Sequence, residues 1–464
     1  MKNLFDKHVN FYKKTPMEII RQCSKEINWD TPLIALRGPK GVGKSTLMRQ
    51  YIKQHYSISD RSALYCSCDG AYFASHTLID LAEQFYKSGG KHLFLDEIHK
   101  YPNWSRELKE ISDLYEGDMR IVISGSSLLS LQQGDADLSR RCVNHDIQGL
   151  SFREFLYFFK GINLPKYTLE EILANPWSLA EQVNTVCRPL QYFQEYLQFG
   201  YYPYHLQIKD PVDYYSTIEN VVSYIIDDEL PRICKVEVQN TRKIKSLVNI
   251  LAVSVPYDVD IKRLSIQSGL QRSTILEYLA CLHKADILHL LYSDYYNAKK
   301  MQKPDKILMD NSNILYAMAS KPVNIGTIRE IFAVNQLSYA HLVEYGKAKG
   351  DFVVDGKYTL ETRDPAAMVL VCQLLGYDTQ EKEVRHGAFT EVNFRLKLTD
   401  NQLSGAFVKA DNRLVKRLLH NIDAHRDRND PDRRPYYKCK IYNKMELDLT
   451  HPREQLRGKA FLRE

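Results

Sequence analysis

The sequence predicts an α/β protein whose first domain, residues 1–150, is built on a parallel β-sheet with helices on both faces. Two observations lead to this fold class. Short apolar segments recur ("PLIAL", "SALYCSC", "HLFLDE", "RIVISGS"), and helical patterns such as "KSTLMRQYIKQHY" and "HTLIDLAEQFYKSG" separate them. Apolar strands that alternate with helices are typical of buried parallel sheets, because each parallel connection needs a crossover segment.

The predicted strands follow a helical lead-in over residues 1–30, in which "PMEIIRQCSKEI" carries apolar residues at helical spacing. We expect strands over residues 32–36, 62–68, 92–97 and 120–126, and a fifth near "VNHDIQG", 143–149. The pattern changes after residue 150, where longer helical segments rich in aromatic residues begin.

The remainder of the chain is predicted to hold three further parts. Residues 151–240 read as a helical linker region. Residues 241–320 contain two short helices and a strand, "IKRLSIQSGL", "TILEYLACLHKADIL" and "HLLYS", a pattern similar to a winged helix-turn-helix. Residues 321–464 read as a mixed α/β region, with a hairpin across Asp355-Gly356. The acidic run from Asp227 to Glu229 is interpreted as a charged helix end.

The composition limits the class of protein. The chain has 464 residues, of which 44% are hydrophobic and 26% charged, as expected for about three folded domains. No apolar run is long enough to span a membrane, and the N-terminus lacks the apolar stretch of a signal peptide. The nine cysteines are scattered, which favours reduced thiols. We therefore expect a cytoplasmic protein with no membrane partner.

The segment "GPKGVGKS" fits the phosphate-binding pattern G-x-x-x-x-G-K-[ST] at every fixed position. Glycine lets the main chain approach a ligand closely, and the loop N–H groups then surround phosphate oxygens. A helix that begins near Lys44 adds its positive end. In this pattern Lys44 reaches the β- and γ-phosphates and Ser45 binds Mg²⁺. The sequence thus predicts a P-loop NTPase sheet that takes ATP and Mg²⁺. The expected binding residues are Gly38, Pro39, Lys40, Gly41, Val42, Gly43, Lys44, Ser45 and Thr46.

Two acidic residues end the predicted strand "HLFLDE", at the sheet edge where ligands bind in open α/β folds. Asp96 is expected to hold Mg²⁺ together with Ser45. Glu97 is expected to polarise the water that attacks the γ-phosphate. The spacing of about 50 residues between the P-loop and this pair strengthens an ATPase interpretation.

Two further features leave alternatives open. Ser124 or Ser126, at the end of "RIVISGSSLL", either contacts the γ-phosphate or the attacking water, or is an ordinary turn residue at a strand end. Arg140 and Arg141 in "LSRRCV" are either a solvated basic pair or include a finger that reaches a nucleotide, in the same chain or in a neighbouring subunit.

These motifs together resemble a known family. "RGPKGVGKSTLMRQ", "LFLDEIHKYPNW", "VISGSSLLSL", "LSRR" and "LSFREFL" stand in the order of AAA+-like ATPases of the AAA_14 type, which a DUF4143 region usually follows. "YLQFGYYPYHLQ" resembles the start of that region. The resemblance implies ATP binding and hydrolysis. The catalytic residues that it implies are Lys44, Asp96, Glu97, Ser126 (as the sensor) and Arg141. Arg140 replaces the glycine expected beside Arg141.

The C-terminal region resembles a degenerate restriction-endonuclease-like fold. A nuclease of this type needs an acid followed by Glu/Asp-x-Lys, with the acids holding a metal. The chain offers Asp351 and then Glu361-Thr362-Arg363, where arginine replaces the lysine. We therefore expect a nuclease-like shell without nuclease activity.

The tail carries the chain's excess charge. Residues 409–464 contain 15 Lys/Arg and 9 Asp/Glu, and the whole chain has a net charge of +6. "VKADNRLVKRLLHNIDAHRDR" is either a basic helix on a nucleic acid or a solvated face.

The predicted function is that of a Mg²⁺-dependent ATP hydrolase that moves a winged-helix and C-terminal module. One alternative is a nucleotide-dependent switch with little turnover, and another is a DNA-binding effector. The expected partners are ATP, DNA or a protein at the winged-helix region and basic tail, and other copies of the chain in a homo-oligomer.

Overall fold

The fold is α/β, as the sequence predicts. A computed structural model describes residues 1–128, 138, 140–254, 260–293, 303–347, 350–360 and 362, and the backbone of five strands between residues 395 and 462. Within these residues, no helix is long and apolar enough to cross a bilayer.

A five-stranded sheet forms the centre of the first domain. Its strands are β1 (Leu33–Arg37), β2 (Ala63–Ser67), β3 (His92–Asp96), β4 (Arg120–Gly125) and β5 (Val143–Asp146). All neighbours are parallel, in the order β2-β3-β4-β1-β5. Apolar side chains alternate between two cores: Ile34 and Leu36 of β1 face one, and Leu33 and Ala35 face the other. The parallel sheet with two covered faces is therefore confirmed.

Four α-helices cover the sheet: α1 (Lys2–Lys14), α2 (Lys44–His55), α3 (Leu78–Lys87) and α4 (Trp104–Leu114). Helix α2 packs in one core, and α1, α3 and α4 pack in the other. Short 3₁₀ turns lie at Gln22–Lys25, Ala71–Ala74 and Ile98–Lys100. The helical lead-in predicted over residues 1–30 is wrong beyond Lys14. Thr15 is extended, because the proline at position 16 disfavours helical backbone in the residue before it.

The next part of the chain is helical. It contains α5 (Phe152–Lys160), α6 (Leu169–Ala174), α7 (Pro176–Val186), α8 (Leu190–Phe199), α9 (Pro211–Tyr224), a π-helical turn (Ile225–Glu229) and α10 (Leu230–Ile233), with 3₁₀ turns at Pro203–Leu206 and Val238–Asn240. Aromatic rings pack these helices together. The ring centroids of Phe152 and Tyr196 are 5.3 Å apart, and those of Phe152 and Phe193 are 5.6 Å apart. The aromatic residues are thus packing residues.

Three helices and an antiparallel strand pair follow: α11 (Thr241–Val253), α12 (Ile261–Ser268), α13 (Arg272–Lys284), β6 (Leu288–Leu291) and β7 (Lys306–Met309). Helices α14 (Ser312–Met318) and α15 (Ile325–Leu337) come next, and then an antiparallel sheet of β8 (Val343–Tyr345), β9 (Phe352–Val354) and β10 (Tyr358–Leu360). The predicted hairpin is confirmed, since β9 and β10 are joined across Asp355 and Gly356, with φ of 53° and 63°.

Five strands are described by their backbone further along: β11 (Arg395–Thr399), β12 (Tyr436–Ile441), β13 (Asn443–Asp448), β14 (Gln455–Lys459) and β15 (Phe461–Leu462). The predicted basic helix and the nuclease-type residues Glu361 and Arg363 lie outside the described residues. Asp351 accepts hydrogen bonds from the backbone and hydroxyl of Thr362, at 2.8 and 2.9 Å.

A buried ion pair joins the start of the chain to the helical part. Arg21 donates to both carboxylate oxygens of Glu154, at 3.0 and 2.8 Å, and the two side chains are 6% and 4% exposed. Its remaining N–H groups donate to the carbonyls of Val42 in the P-loop and of Gln148 and Gly149. Burial lowers the pKa of Arg21, but the pairing with Glu154 outweighs burial and raises that pKa above its usual value.

A second polar contact joins the first domain to the strand pair β6–β7. Ser127 donates a hydrogen bond to the Asp286 carboxylate. Asp286 follows α13 with a left-handed φ of 53°. Burial raises its pKa from 3.8 to about 7, and the nearby Asp310 adds to the rise. The carboxyl of Asp286 therefore holds a proton more tightly in the folded chain than in the unfolded chain.

We predict that Arg21→Met destabilises the fold, because it leaves the Glu154 carboxylate buried without its cation. The free energy of unfolding should fall by about 3–5 kcal/mol in urea denaturation. A matched control is Arg120→Met, since Arg120 pairs with Asp30 where the side chains are 47% and 74% exposed. That variant should lose about 0–1 kcal/mol. Equal losses in the two variants would contradict the assigned role of the buried pair.

We also predict that Asp286→Asn stabilises the protein at pH 8. A raised folded-state pKa contributes stability below the unfolded-state pKa, and this contribution is lost as the pH rises through about 7. Asparagine cannot ionise, tolerates a left-handed backbone and can still accept from Ser127. Urea denaturation should give a gain of about 1 kcal/mol or more at pH 8 that shrinks toward pH 4. The exposed control Asp6→Asn should show no such pH dependence; a pH-independent effect of Asp286→Asn would count against this explanation.

Candidate nucleotide-binding site

The P-loop connects β1 to α2 and depends on glycine at its first position. Gly38 has a φ of 146°, and a Cβ atom there would lie 1.9 Å from the carbonyl oxygen of Ile147. Gly41 and Gly43 also have positive φ, at 90° and 98°. The backbone at Ile147 therefore lies directly against the loop. The strand predicted near residues 143–149 is confirmed as β5.

Lys44, the first residue of α2, lies inside the loop. Its ammonium donates to the carbonyl oxygens of Gly38 and Pro39, both at 2.8 Å. The residue is 6% exposed. Burial lowers the pKa of Lys44, while the negative charges of Glu97 and Asp96, followed by that of Glu229, oppose the shift. Lys44 therefore lies at the position from which the lysine of this motif contacts phosphate oxygens.

The outer side of the loop is covered by the helical part of the chain. A Cβ atom on Gly41 would lie 2.7 Å from a ring carbon of Tyr204. The Tyr204 ring stacks on the Tyr202 ring at a centroid distance of 5.1 Å. The Lys40 ammonium lies 3.7 Å from the centroid of the Tyr224 ring. The P-loop is therefore in direct contact with residues 202–224, a contact that periodicity and motif spacing do not predict.

Asp96 ends β3 and is 5% exposed. Each of its carboxylate oxygens accepts a hydroxyl hydrogen bond, one from Tyr65 of β2 and one from Ser124 of β4. Among the residues that the structure describes, no group of three or more His, Cys, Asp or Glu side chains forms a metal cage. One carboxylate and the Ser45 hydroxyl fit Mg²⁺, which commonly keeps waters and binds substrate phosphates.

Glu97 directly follows β3 in a left-handed conformation, with φ of 54°. Its backbone N–H donates to the Ser124 hydroxyl at 3.2 Å. Its carboxylate lies 3.3 Å from Nε2 of His99. Burial raises the pKa of Glu97, and Lys44 opposes the rise. A carboxylate with a raised pKa accepts a proton more readily near neutral pH, as a general base must.

The structure separates the two candidate serines. Ser124 is fully buried and contacts Asp96 and the Glu97 backbone. Ser126, the expected sensor, instead donates to Glu229 at 2.6 Å. Tyr65 and Glu229 are further neighbours of the candidate site, and no motif in the sequence indicates them. Only the position of Tyr65 on a strand next to β3 offered a signal.

The candidate arginine finger, Arg141, forms an ion pair with a residue of helix α4. Arg141 donates to Asp113 at 2.8 Å, and its side chain is 31% exposed. Arg140 is exposed. The structure therefore brings Lys44, Asp96, Glu97 and Ser126 to one sheet edge and pairs Arg141 with a helix.

Family models match two segments of the chain. Residues 30–156 match an AAA domain, AAA_14, and residues 190–324 match a domain of unknown function, DUF8612. The second match corrects the expected DUF4143 region. The chain is also similar to two uncharacterized proteins of Methanocaldococcus jannaschii. It is 26% identical to MJ1637 over 335 residues, 66% of this chain and 70% of that protein. It is 25% identical to MJ1544 over 372 residues, 75% of this chain and 76% of that protein.

Solved structures similar to the chain include C. elegans PCH-2, with 15% identity, a TM-score of 0.20 and coverage of 34% of this chain. The S. cerevisiae Hsp104-ADP complex is 16% identical, with a TM-score of 0.22 and coverage of 61% of this chain. AMPPCP-bound DnaA from Aquifex aeolicus is 15% identical, with a TM-score of 0.22. The match covers 57% of this chain and 85% of that chain. The match spans 45% of the PCH-2 chain and 39% of the Hsp104 chain. The AAA-domain match and the P-loop geometry together support an AAA-like, nucleotide-binding fold for the first part of the chain.

Proposed function

We propose that this protein is a Mg²⁺-dependent ATP hydrolase whose reaction moves the helical part of the chain against the first domain. The observation that carries the proposal is the placement of Lys44 inside a complete P-loop, with Asp96 and Glu97 acting on its charge from the end of β3. The AAA-domain match over residues 30–156 supports it.

Each residue at the sheet edge takes one role in this proposal. Loop N–H groups and Lys44 hold the phosphates. Ser45 and Asp96 hold Mg²⁺, which when bound neutralises charge that develops on the phosphates. Glu97 orients a water and accepts its proton while the water oxygen bonds to the γ-phosphorus and the bond to the bridging oxygen breaks. Ser124 fixes Asp96 and the Glu97 backbone, and Ser126 acts as the sensor.

The helical part is the element that we propose to move. It touches the P-loop through Tyr204, and it touches the residues after β3 and β4 through Lys100–Asp228 and Ser126–Glu229. A change at the phosphates therefore has direct contacts through which to act. Arg141 is paired with Asp113 of its own chain, and its role toward nucleotide in a neighbouring subunit of a homo-oligomer is part of the proposal.

A DNA-binding effector is the second candidate. The order α11, α12, α13, β6 and β7 matches that of a winged helix-turn-helix, which supports a DNA- or protein-binding module. Helix α13 carries Arg272 and Lys284 but also Glu277, which is a modest positive charge for contacts with DNA phosphates. ATP turnover that double-stranded DNA stimulates, and that salt suppresses steeply, would favour this candidate.

We predict that Glu97→Gln keeps ATP binding and lowers kcat at least about 100-fold, because glutamine cannot accept the proton. Lys44→Ala should weaken ATP binding about tenfold or more, because it removes a charged donor to the phosphates. Steady-state phosphate release and equilibrium nucleotide binding measure the two effects. The matched controls are Glu83→Gln and Lys87→Ala, which change an ion pair whose side chains are 50% and 70% exposed.

Two results would contradict the proposed function. ATP binding by wild type without turnover, with or without DNA, would favour a nucleotide-dependent switch. If the Lys44→Ala variant binds ATP as tightly as wild type, the assignment of the P-loop as the ATP-binding site is wrong.

A further inference from the structure

Glu229 is a buried carboxylate that the helical part of the chain inserts beside the P-loop site. It ends the π-helical turn Ile225–Glu229, between α9 and α10, and is 2% exposed. Turns of this kind interrupt α-helices and are frequent at functional sites. The local sequence "IIDDE" looks like a charged helix end, but its last acid points inward.

The Glu229 carboxylate reaches the residues that surround the reacting end of a nucleotide in the proposed function. It accepts from the Ser126 hydroxyl at 2.6 Å. It also lies 3.9 Å from Nε2 of His99, and the same nitrogen lies 3.3 Å from the Glu97 carboxylate. The carboxylates of Glu229 and Glu97 therefore approach the same imidazole nitrogen.

His99 does not neutralise either acid. Its Nδ1 accepts from the Ser126 backbone N–H at 3.4 Å, which leaves the ring proton on Nε2. Burial lowers the pKa of His99 to about 4, and Glu229 opposes this shift, so the ring is neutral at pH 7. One neutral N–H group thus faces two carboxylates.

Lys44 is a cation on which both acids act. The negative charges of Glu97, Asp96 and Glu229 all act on its ammonium. A γ-phosphate bound at Lys44 would bring more negative charge to the same place. Because like charges in a partly buried site repel, a γ-phosphate and the Glu229 carboxylate compete for Lys44 and Ser126.

We propose that Glu229 makes the helical part respond to the γ-phosphate: ATP, but not ADP, weakens the contact of residues 224–229 with the first domain. This inference rests on the proposed binding of ATP at the P-loop. Glu229 acts as a specificity-determining residue, since its charge opposes the triphosphate more than the diphosphate. A ligand that binds less well while residues 224–229 contact the first domain shifts the population toward molecules in which that contact is released.

The contacts that would be released join residues 224–228 to Lys40 and Lys100, and both lysines lie near the site of the added phosphate charge. Asp228 pairs with Lys100 at 3.0 Å, and the ammonium groups of Lys40 and Lys100 lie 3.7 and 4.6 Å from the centroid of the Tyr224 ring. Lys40 is in the P-loop and Lys100 follows Glu97 and His99. Both lysines can turn from Tyr224 toward added phosphate charge.

The test compares the dissociation constants of ADP and of a non-hydrolysable ATP analogue, with Mg²⁺, on the full chain. Glu229→Gln keeps the size and the acceptor for Ser126 but removes the charge. It should tighten binding of the ATP analogue about 5- to 150-fold and leave ADP binding nearly unchanged. The matched control Glu219→Gln, an exposed position on α9, should change neither constant. Equal effects of Glu229→Gln on the two nucleotides, or no effect, would overturn the proposal.

A second measurement does not depend on that variant folding. In wild-type protein, amide hydrogen exchange over residues 225–233 should be faster with the ATP analogue than with ADP or no nucleotide. Tyr224→Leu, which removes the ring under Lys40 and Lys100 without changing charge, should also raise the preference for the ATP analogue. Identical exchange with both nucleotides, or an unchanged preference in Tyr224→Leu, would argue against release of this segment.

The two proposals fail separately. Binding of the analogue with the expected Glu229→Gln effect, but no ATP turnover by wild type, would overturn hydrolysis and support the γ-phosphate response. Turnover by wild type with an unchanged ratio of dissociation constants in Glu229→Gln would overturn the γ-phosphate response alone. Absence of binding of both nucleotides to wild type would overturn both.

Discussion

The buried pair between Arg21 and Glu154 fixes three segments of this protein relative to one another. A guanidinium removed from water must satisfy all its N–H groups, and Arg21 does so with one carboxylate and three backbone carbonyls. Those carbonyls belong to the P-loop and to the turn that leaves β5. The shape of the phosphate loop therefore depends on a residue that precedes the sheet and on the first turn of α5, which Glu154 also caps.

The candidate nucleotide site is shared between the first domain and the helical part. The turn after β5 lies against Gly38, and the Tyr202–Tyr204 turn lies against Gly41. Charged residues complete the contact, with Glu229 at Ser126 and Asp228 at Lys100. The site thus has one wall that belongs to the sheet edge and another that belongs to the helices, which is the arrangement that coupling between them requires.

The sheet and the P-loop could be predicted from the sequence, because both depend on local information. Alternating apolar strands, the fixed spacing of the loop and the acids at the end of β3 are all readable within short segments. The predicted C-terminal end of the lead-in helix is wrong, since the proline at position 16 decides it. Tyr65, Glu229 and Arg21 could not be predicted, because their partners lie 31, 103 and 133 residues away in sequence.

The contact between Gly41 and Tyr204 has a consequence for how the protein unfolds. One continuous apolar core contains Val42 of the loop, Tyr202 of the turn and Leu360 of β10. Cutting the chain near residue 150 would expose apolar surface on both fragments and leave Arg21 without its carboxylate. The first domain is therefore not expected to melt as an independent unit. Heating should instead unfold the loop and the helices that cover it in a single cooperative step.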